Sequence, residues 1–133
     1  MTEIFVSIEG VTGTGTGAHH GWLKVSSAQL SSTDKNSVVI SRVYDRLSSK
    51  LFKLFKDGVT VPAVTIDFVK GGRLETRLEL TSVVIAELYP VSGQPPMESI
   101  TFHYTGARTV QGTTASSNAA VGREWSLAER RGA

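Results

Sequence analysis

Apolar residues alternate with polar ones along most of this chain. Ile4, Val6 and Ile8 are interleaved with Glu3, Phe5, Ser7 and Glu9. Val64, Ile66 and Phe68 alternate with Thr65 and Asp67, and Ile100, Phe102 and Tyr104 repeat the pattern. A period of two places each apolar set on one face of a strand. Leu74, Thr76, Leu78 and Leu80 likewise oppose Glu75, Arg77, Glu79 and Thr81. Near Ser82 the alternation gives way to a continuous apolar run, Val83, Val84, Ile85 and Ala86, that ends at Tyr89-Pro90. A bulge, or contact with another subunit, produces such a change. Shorter strands are expected over 22–26, 38–44 and 121–127, the last holding Trp125. Gly71-Gly72 marks a tight hairpin turn and 92–96 a second turn. A Gly/Thr-rich loop over 11–18, a polar loop over 27–37 and a small polar segment over 113–120 complete the pass.

One segment has the other period. Leu47, Leu51, Leu54 and Phe55 fall at i, i+4, i+7 and i+8, one face of a helix. Ser48 is a candidate N-cap, with Leu47 and Phe52 at the spacing of a hydrophobic staple. Lys53 and Lys56 suit the negative end of the helix dipole, and Gly58 suits the left-handed closing position. Many strands and a single helix predict a mainly β fold: a closed or nearly closed antiparallel β-barrel with one α-helix packed on its side. At 133 residues the chain is expected to be a single domain, 1–133, with no internal repeat or linker.

Composition narrows the function classes. Charged residues are 20% of the chain and the formal net charge is +2, with bases and acids interspersed. No basic stripe invites nucleic acid, and Arg130-Arg131 reads as a solvated tail. There is no cysteine, which excludes disulfides, thiolate metal sites and cysteine nucleophiles. The alternating start is a strand rather than a signal peptide, and no apolar run is long enough to span a membrane.

Candidate chemistry is sparse. Gly13, Gly15 and Gly17 follow a strand, but Ala18-His19-His20-Gly21 is no helix start, so a flexible connection is preferred to a phosphate loop. His19, His20 and His103 read as surface histidines, with a metal site built on one of them and His103 as the alternative. Glu75, Arg77 and Glu79 read as cross-strand ion pairs on a wet face. Trp22, Tyr104 and Trp125 read as core or interface residues rather than stacking platforms for single strands. No nucleophile elbow or triad pattern is present. The expectation is a structural or binding protein, not an enzyme, with no cofactor and no metal.

Asp45-Arg46, Ser48, Leu51, Gly58 and Pro62, followed by Val64, Ile66 and Phe68, resemble the tube protein of type VI secretion systems, the haemolysin-coregulated protein (Hcp) family. Glu98-Ser99-Ile100-Thr101-Phe102 is similar to that family's Glu-x-Val-x-Leu-x-Phe strand, and residues 78–91 to its long strand rich in Val and Ser. Trp125 falls where the family has Gly-Trp. The chain departs from the pattern at Ser49, where the family has proline, at Glu124, and in lacking an aromatic pattern after the second strand. The resemblance implies a homo-hexameric ring that stacks into a tube, carries effector proteins in its lumen and is capped by a spike protein. A contractile sheath drives it from the bacterial cytoplasm to the extracellular space or a target cell, with no nucleic acid and no membrane insertion. It assigns ring stacking to the loop after the second strand: Ser26, Ser27, Ala28, Gln29, Leu30, Ser31, Ser32, Thr33, Asp34, Lys35, Asn36 and Ser37. Helix packing falls to Leu47, Leu51, Leu54 and Phe55. The alternatives are a phage-like tail-tube protein and a small ligand-binding β-barrel using the Gly13–Gly17 loop or the histidines.

Overall fold

The computed structural model describes residues 2–15, 17–30 and 36–111. The expected strand over 121–127, Trp125, the 113–120 segment and Ser31, Ser32, Thr33, Asp34 and Lys35 lie outside the described residues. Seven strands and one helix follow in the order β1 (Thr2–Ile8), β2 (Leu23–Val25), β3 (Ser27–Leu30), β4 (Ser37–Val43), α1 (Leu47–Asp57), β5 (Val61–Lys70), β6 (Arg73–Val91) and β7 (Met97–Gln111).

All seven strands join one antiparallel sheet in the order β2-β1-β5-β6-β7-β4-β3. The two ends of that order are consecutive in the chain. Val25 pairs with Ile4 on one edge, and Ser27 pairs with Ser41 on the other. The Ser26 N–H donates to the Ser41 carbonyl at 2.7 Å. A single bent segment thus crosses between the edges and nearly closes the sheet into a barrel. Closure removes the open edges that an all-β chain would otherwise expose.

The alternation read from the sequence becomes an inside and an outside. Val6, Ile8, Leu23, Ile40, Ile66, Leu80, Val83, Ile100 and Phe102 fill the interior. Side chains therefore occupy the barrel rather than a ligand. Gly71 and Gly72 both have positive φ, +59° and +80°, as the two central residues of a tight hairpin require. Ser82 has φ 52°, and a register shift falls between Ile85 and Glu87. The apolar run at 83–86 still alternates in burial: Val83 and Ile85 are buried while Val84 and Ala86 are half-buried on the outer side, and the register shifts only after Ile85.

The loop expected over 27–37 is shorter than the sequence pattern implies. Ser27–Leu30 is a strand, paired to β4 from Ser27↔Ser41 to Leu30↔Val38, and Ser37 already belongs to β4. The β4 edge supplies the pairing partner that this polar segment lacks as an isolated sequence.

Helix α1 carries the anchoring face expected of it. Leu51 is fully buried, and Leu47, Leu54 and Phe55 pack against the same core. Gly58 closes the helix at φ +64°, its N–H donating to the Leu54 and Phe55 carbonyls. The start differs from expectation. Ser48 is not the N-cap: Arg46 holds that position without a side-chain cap bond, and the preceding Asp45 Oδ1 accepts from the Leu47 N–H at 2.9 Å. Ser48 Oγ in turn accepts from the Asp45 N–H at 3.0 Å, the reciprocal pair of a capping box. Leu47 is the first helical residue, inside the helix rather than before its cap, so it does not hold the position of a staple to Phe52. Phe52 instead tilts against Phe55 with ring centroids 6.0 Å apart and stays about half exposed.

Candidate functional site

Three surfaces of the barrel carry polar chemistry. The first lies under the start of α1. Arg42 on β4 and Glu98 on β7 are cross-strand partners on the inner side of the sheet. Both are buried, 3% and 0% exposed. Arg42 Nη1 donates to Glu98 Oε2 at 2.5 Å, and Nη2 donates to Asp45 Oδ2 at 2.9 Å. Ser48 Oγ donates to the same Glu98 oxygen at 2.9 Å. The residue before the helix cap, the helix's first turn and two strands are thereby tied by one ion-pair network. Arg42 Nη1 also lies 3.4 Å from Ser48 Oγ, while Arg42 Nε and Glu98 Oε1 have no protein partner among the described residues. A buried pair of this kind specifies position more than it adds stability, because desolvation offsets much of the attraction. The residues it joins are those that carry the family resemblance: Asp45 and Ser48 from one motif, Glu98 from the other.

The second surface lies over β1, β5 and β6. Phe5, Asp67 and Arg77 are lateral neighbours on the outer face. Arg77 forks onto Asp67 with Nε–Oδ1 at 2.7 Å and Nη2–Oδ2 at 2.8 Å. Those hydrogen bonds hold the Arg77 pKa above its ordinary value against the opposing effect of burial, so the guanidinium is always charged. His19 Nε2 lies 2.8 Å from Asp67 Oδ2. Its ring stacks on Phe5 at 4.2 Å and meets the edge of Trp22, over which the Arg77 guanidinium sits at 5.8 Å. Asp67 is fully buried by this stack. Arg77 and Glu79 do make cross-strand ion pairs on the outer face, with Asp67 and Arg108, but the Asp67 partner is buried, and His19 is not a surface histidine. Asp67, 48 residues from His19 and 10 from Arg77, draws both together.

The glycines of this loop have a packing role. A Cβ on Gly13 would lie 2.4 Å from the Trp22 carbonyl oxygen, and one on Gly15 2.3 Å from that of His19. Backbone bonds Gly13 N–Gly21 O at 2.7 Å and Gly15 N–Trp22 O at 2.9 Å close the loop on itself. It is a strap folded onto the barrel, not a flexible connection. Gly13→Ala is expected to cost about 1–3 kcal/mol in urea denaturation, as overpacking does. A change within error would mean that the strap moves aside without loss.

The third surface is the outward side of β3, β4, β7 and β6. Gln29, Val39, Thr101 and Glu87 form one lateral row, and Ser27, Ser41, Ser99 and Tyr89 the next. Val43, Met97 and Val91 form a third. Glu87 is the one formal charge in these three rows. The face over β2, β1, β5, β6 and β7 is laced with charge instead, including Lys24–Glu3 at 3.1 Å and Arg108–Glu79 at 3.0 Å. The barrel is two-sided: one ion-paired wall, and one wall whose three rows carry a single charge, Glu87. Single-residue readings of sequence do not reveal this, because each strand contributes only a few positions.

Among the described residues no group of three or more His, Asp or Glu side chains could hold a metal ion. No helix among them is long and apolar enough to cross a membrane. Tyr104 is buried in the core, and Trp22 is spent on the strap. Of the loop residues assigned to ring stacking, Ser26, Ser27, Ala28, Gln29, Leu30, Asn36 and Ser37 are described, and they bracket the segment 31–35.

Together these features define a helix-flanked, side-chain-filled antiparallel barrel built around two sequence motifs that meet in a buried ion-pair network. The chain belongs to the family of the type VI secretion system effector Hcp, whose sequence profile matches residues 5–110. Solved structures share the fold. Hcp2 from Salmonella typhimurium is 22% identical, with a TM-score of 0.74 over 82% of this chain and 86% of that one. A type VI secretion system effector from Yersinia pestis is 19% identical, with a TM-score of 0.74 over 81% and 88%. The secreted protein Hcp3 from Pseudomonas aeruginosa is 17% identical, with a TM-score of 0.73 over 85% and 92%. No curated protein sequence matches significantly.

Proposed function

We propose that this chain, as one domain over 1–133, is a structural subunit of a type VI secretion inner tube. Six copies form a ring, rings stack into a tube, and sheath contraction carries the tube and the effectors in its lumen out of the cell. Family membership supports the secretion role. The observation that carries the tube reading is the sparsely charged face of β3, β4, β7 and β6. A ring repeats every residue of its wall, so one charge per subunit becomes a belt of like charge with a focused field. A wall of Ser, Thr, Gln and Val confines that belt to one carboxylate per subunit, Glu87, and leaves the rest of the face uncharged. We assign this face to the channel, and the segment 26–37 to contact with the next ring.

Because the chain has no cysteine, a single one reports position cleanly. Thr101→Cys, labelled with a small maleimide-gold cluster and imaged by electron microscopy, is expected to place gold at the ring centre. Glu9→Cys, on the far side of the barrel, serves as the comparison. Gold at the rim for Thr101→Cys would overturn the assignment of the face, and absence of rings in the unlabelled protein would overturn the tube reading.

A further inference from the structure

The outward side of β6 near its C-terminal end combines two features. The first is apolar exposure. Of the seven exposed large apolar side chains among the described residues, Val43, Tyr89 and Val91 share this one face. Val43 and Val91 flank Met97 in one lateral row, and Tyr89 stands in the next. Contiguous exposed apolar surface marks an interaction site, unlike apolar side chains scattered singly.

The second feature is a carboxylate without a counter-charge. Glu87 stands in the third row, exposed and opposite Thr101. Glu3, Glu79 and Glu98 are paired with Lys24, Arg108 and Arg42. Glu87 has no ion-pair partner among the described residues. Glu87, Tyr89 and Val91 alternate along one strand, so each stands about 7 Å from the next on the same face.

From this juxtaposition we infer that the strip Glu87–Tyr89–Val91, with Val43 and Met97 beside it, is a docking site for basic, partly apolar segments of cargo proteins. A Lys or Arg of the segment pairs with Glu87 while its stem or guanidinium lies against the Tyr89 ring. An aliphatic neighbour settles on the row of Val91, Met97 and Val43. An acidic segment meets repulsion at Glu87 and no cation in the three rows. The inference rests on the tube reading for its occupant and its sixfold repeat. One exposed ion pair is worth little. In a ring, Glu87 becomes a belt of carboxylates, which favours cations, and contacts to several subunits add by avidity.

The test uses the purified full-length protein and short fluorescent peptides that alternate Lys with Val, with Gln-for-Lys and Glu-for-Lys versions as controls. Anisotropy is expected to show binding of the Lys peptides that falls as salt rises, and none of the Glu peptides. Glu87→Gln should weaken binding about fivefold or more. Tyr89→Ala should weaken it too, and Glu9→Gln on the far side of the barrel should leave it unchanged. Glu87→Lys should transfer the preference to the Glu peptides. Circular dichroism and light scattering on each variant separate loss of the site from loss of fold or assembly. Equal binding of the Gln peptides, or binding unaltered by Glu87→Gln, would overturn the proposal even where rings form. A protein that forms no rings but binds the Lys peptides through Glu87 would overturn the tube reading and keep the site.

Discussion

Glu98→Ala is expected to destabilise the protein by about 3–5 kcal/mol in equilibrium urea denaturation, the cost of leaving a buried partner charge uncompensated. The buried charge left behind is Arg42, which holds Glu98 on one side and Asp45 on the other. Ser48 loses its acceptor in the same substitution. The start of α1 should loosen with it, because Asp45 and Ser48 cap one another while both are held by this network. Replacing both charges, Arg42→Met with Glu98→Leu, should recover most of the loss, since a well-packed apolar pair can equal a buried ion pair. A single variant as stable as the parent would show that Arg42 reaches solvent and that the network does not position the helix.

Leu51→Ala should be the second most costly change, about 2–5 kcal/mol by the same measurement. Leu51 is the residue of α1 whose apolar side chain is fully enclosed. Phe55, equally well placed by sequence spacing, is only half-buried beside Phe52. Its truncation should therefore cost less than that of Leu51, below the 3–5 kcal/mol range for a fully buried phenylalanine. The reverse order would mean that the helix is anchored through its C-terminal half.

Much of the fold was legible in the sequence because its signals are local. Alternation at Ile4, Val6 and Ile8 and at Val64 and Ile66 requires no knowledge of the partner strand. Gly58, Gly71 and Gly72 announce positive φ where the chain must turn. Features that depend on distant residues were not legible. Ser27–Leu30 is too short and polar to read as a strand until β4 pairs with it. Arg42 looks like any surface arginine, because the carboxylate that justifies its burial is 56 residues away. Asp67 in an alternating strand looks solvent-facing, until the strap brings His19 over it.

Ser48 shows a different limit. A local reading makes it the cap, but Asp45 three residues earlier competes for that role, and Asp-x-x-Ser is itself the spacing of a reciprocal cap. The motifs that carry the family resemblance then have a physical explanation. Asp45, Ser48 and Glu98 are separated in the chain because they hold the helix to two strands.

The sparsely charged wall and the ion-paired wall also emerge only when rows of residues are assembled across strands. Placing a base in these sparsely charged rows, at Thr101 opposite Glu87, should leave the fold intact while changing what the ring admits. Thr101→Lys is expected to change the midpoint of urea denaturation by no more than a surface substitution does, about 0.5 kcal/mol. Loss of several times that would mean the face is packed against something within the subunit.

The central claim, that this barrel builds rings, is tested most directly by size-exclusion chromatography with light scattering on the purified full-length protein, followed by negative-stain electron microscopy of the same peak. A particle of six subunits that images as a ring with an open centre is the expected result. A strict monomer at high protein concentration, with no rings on the grid, would contradict it.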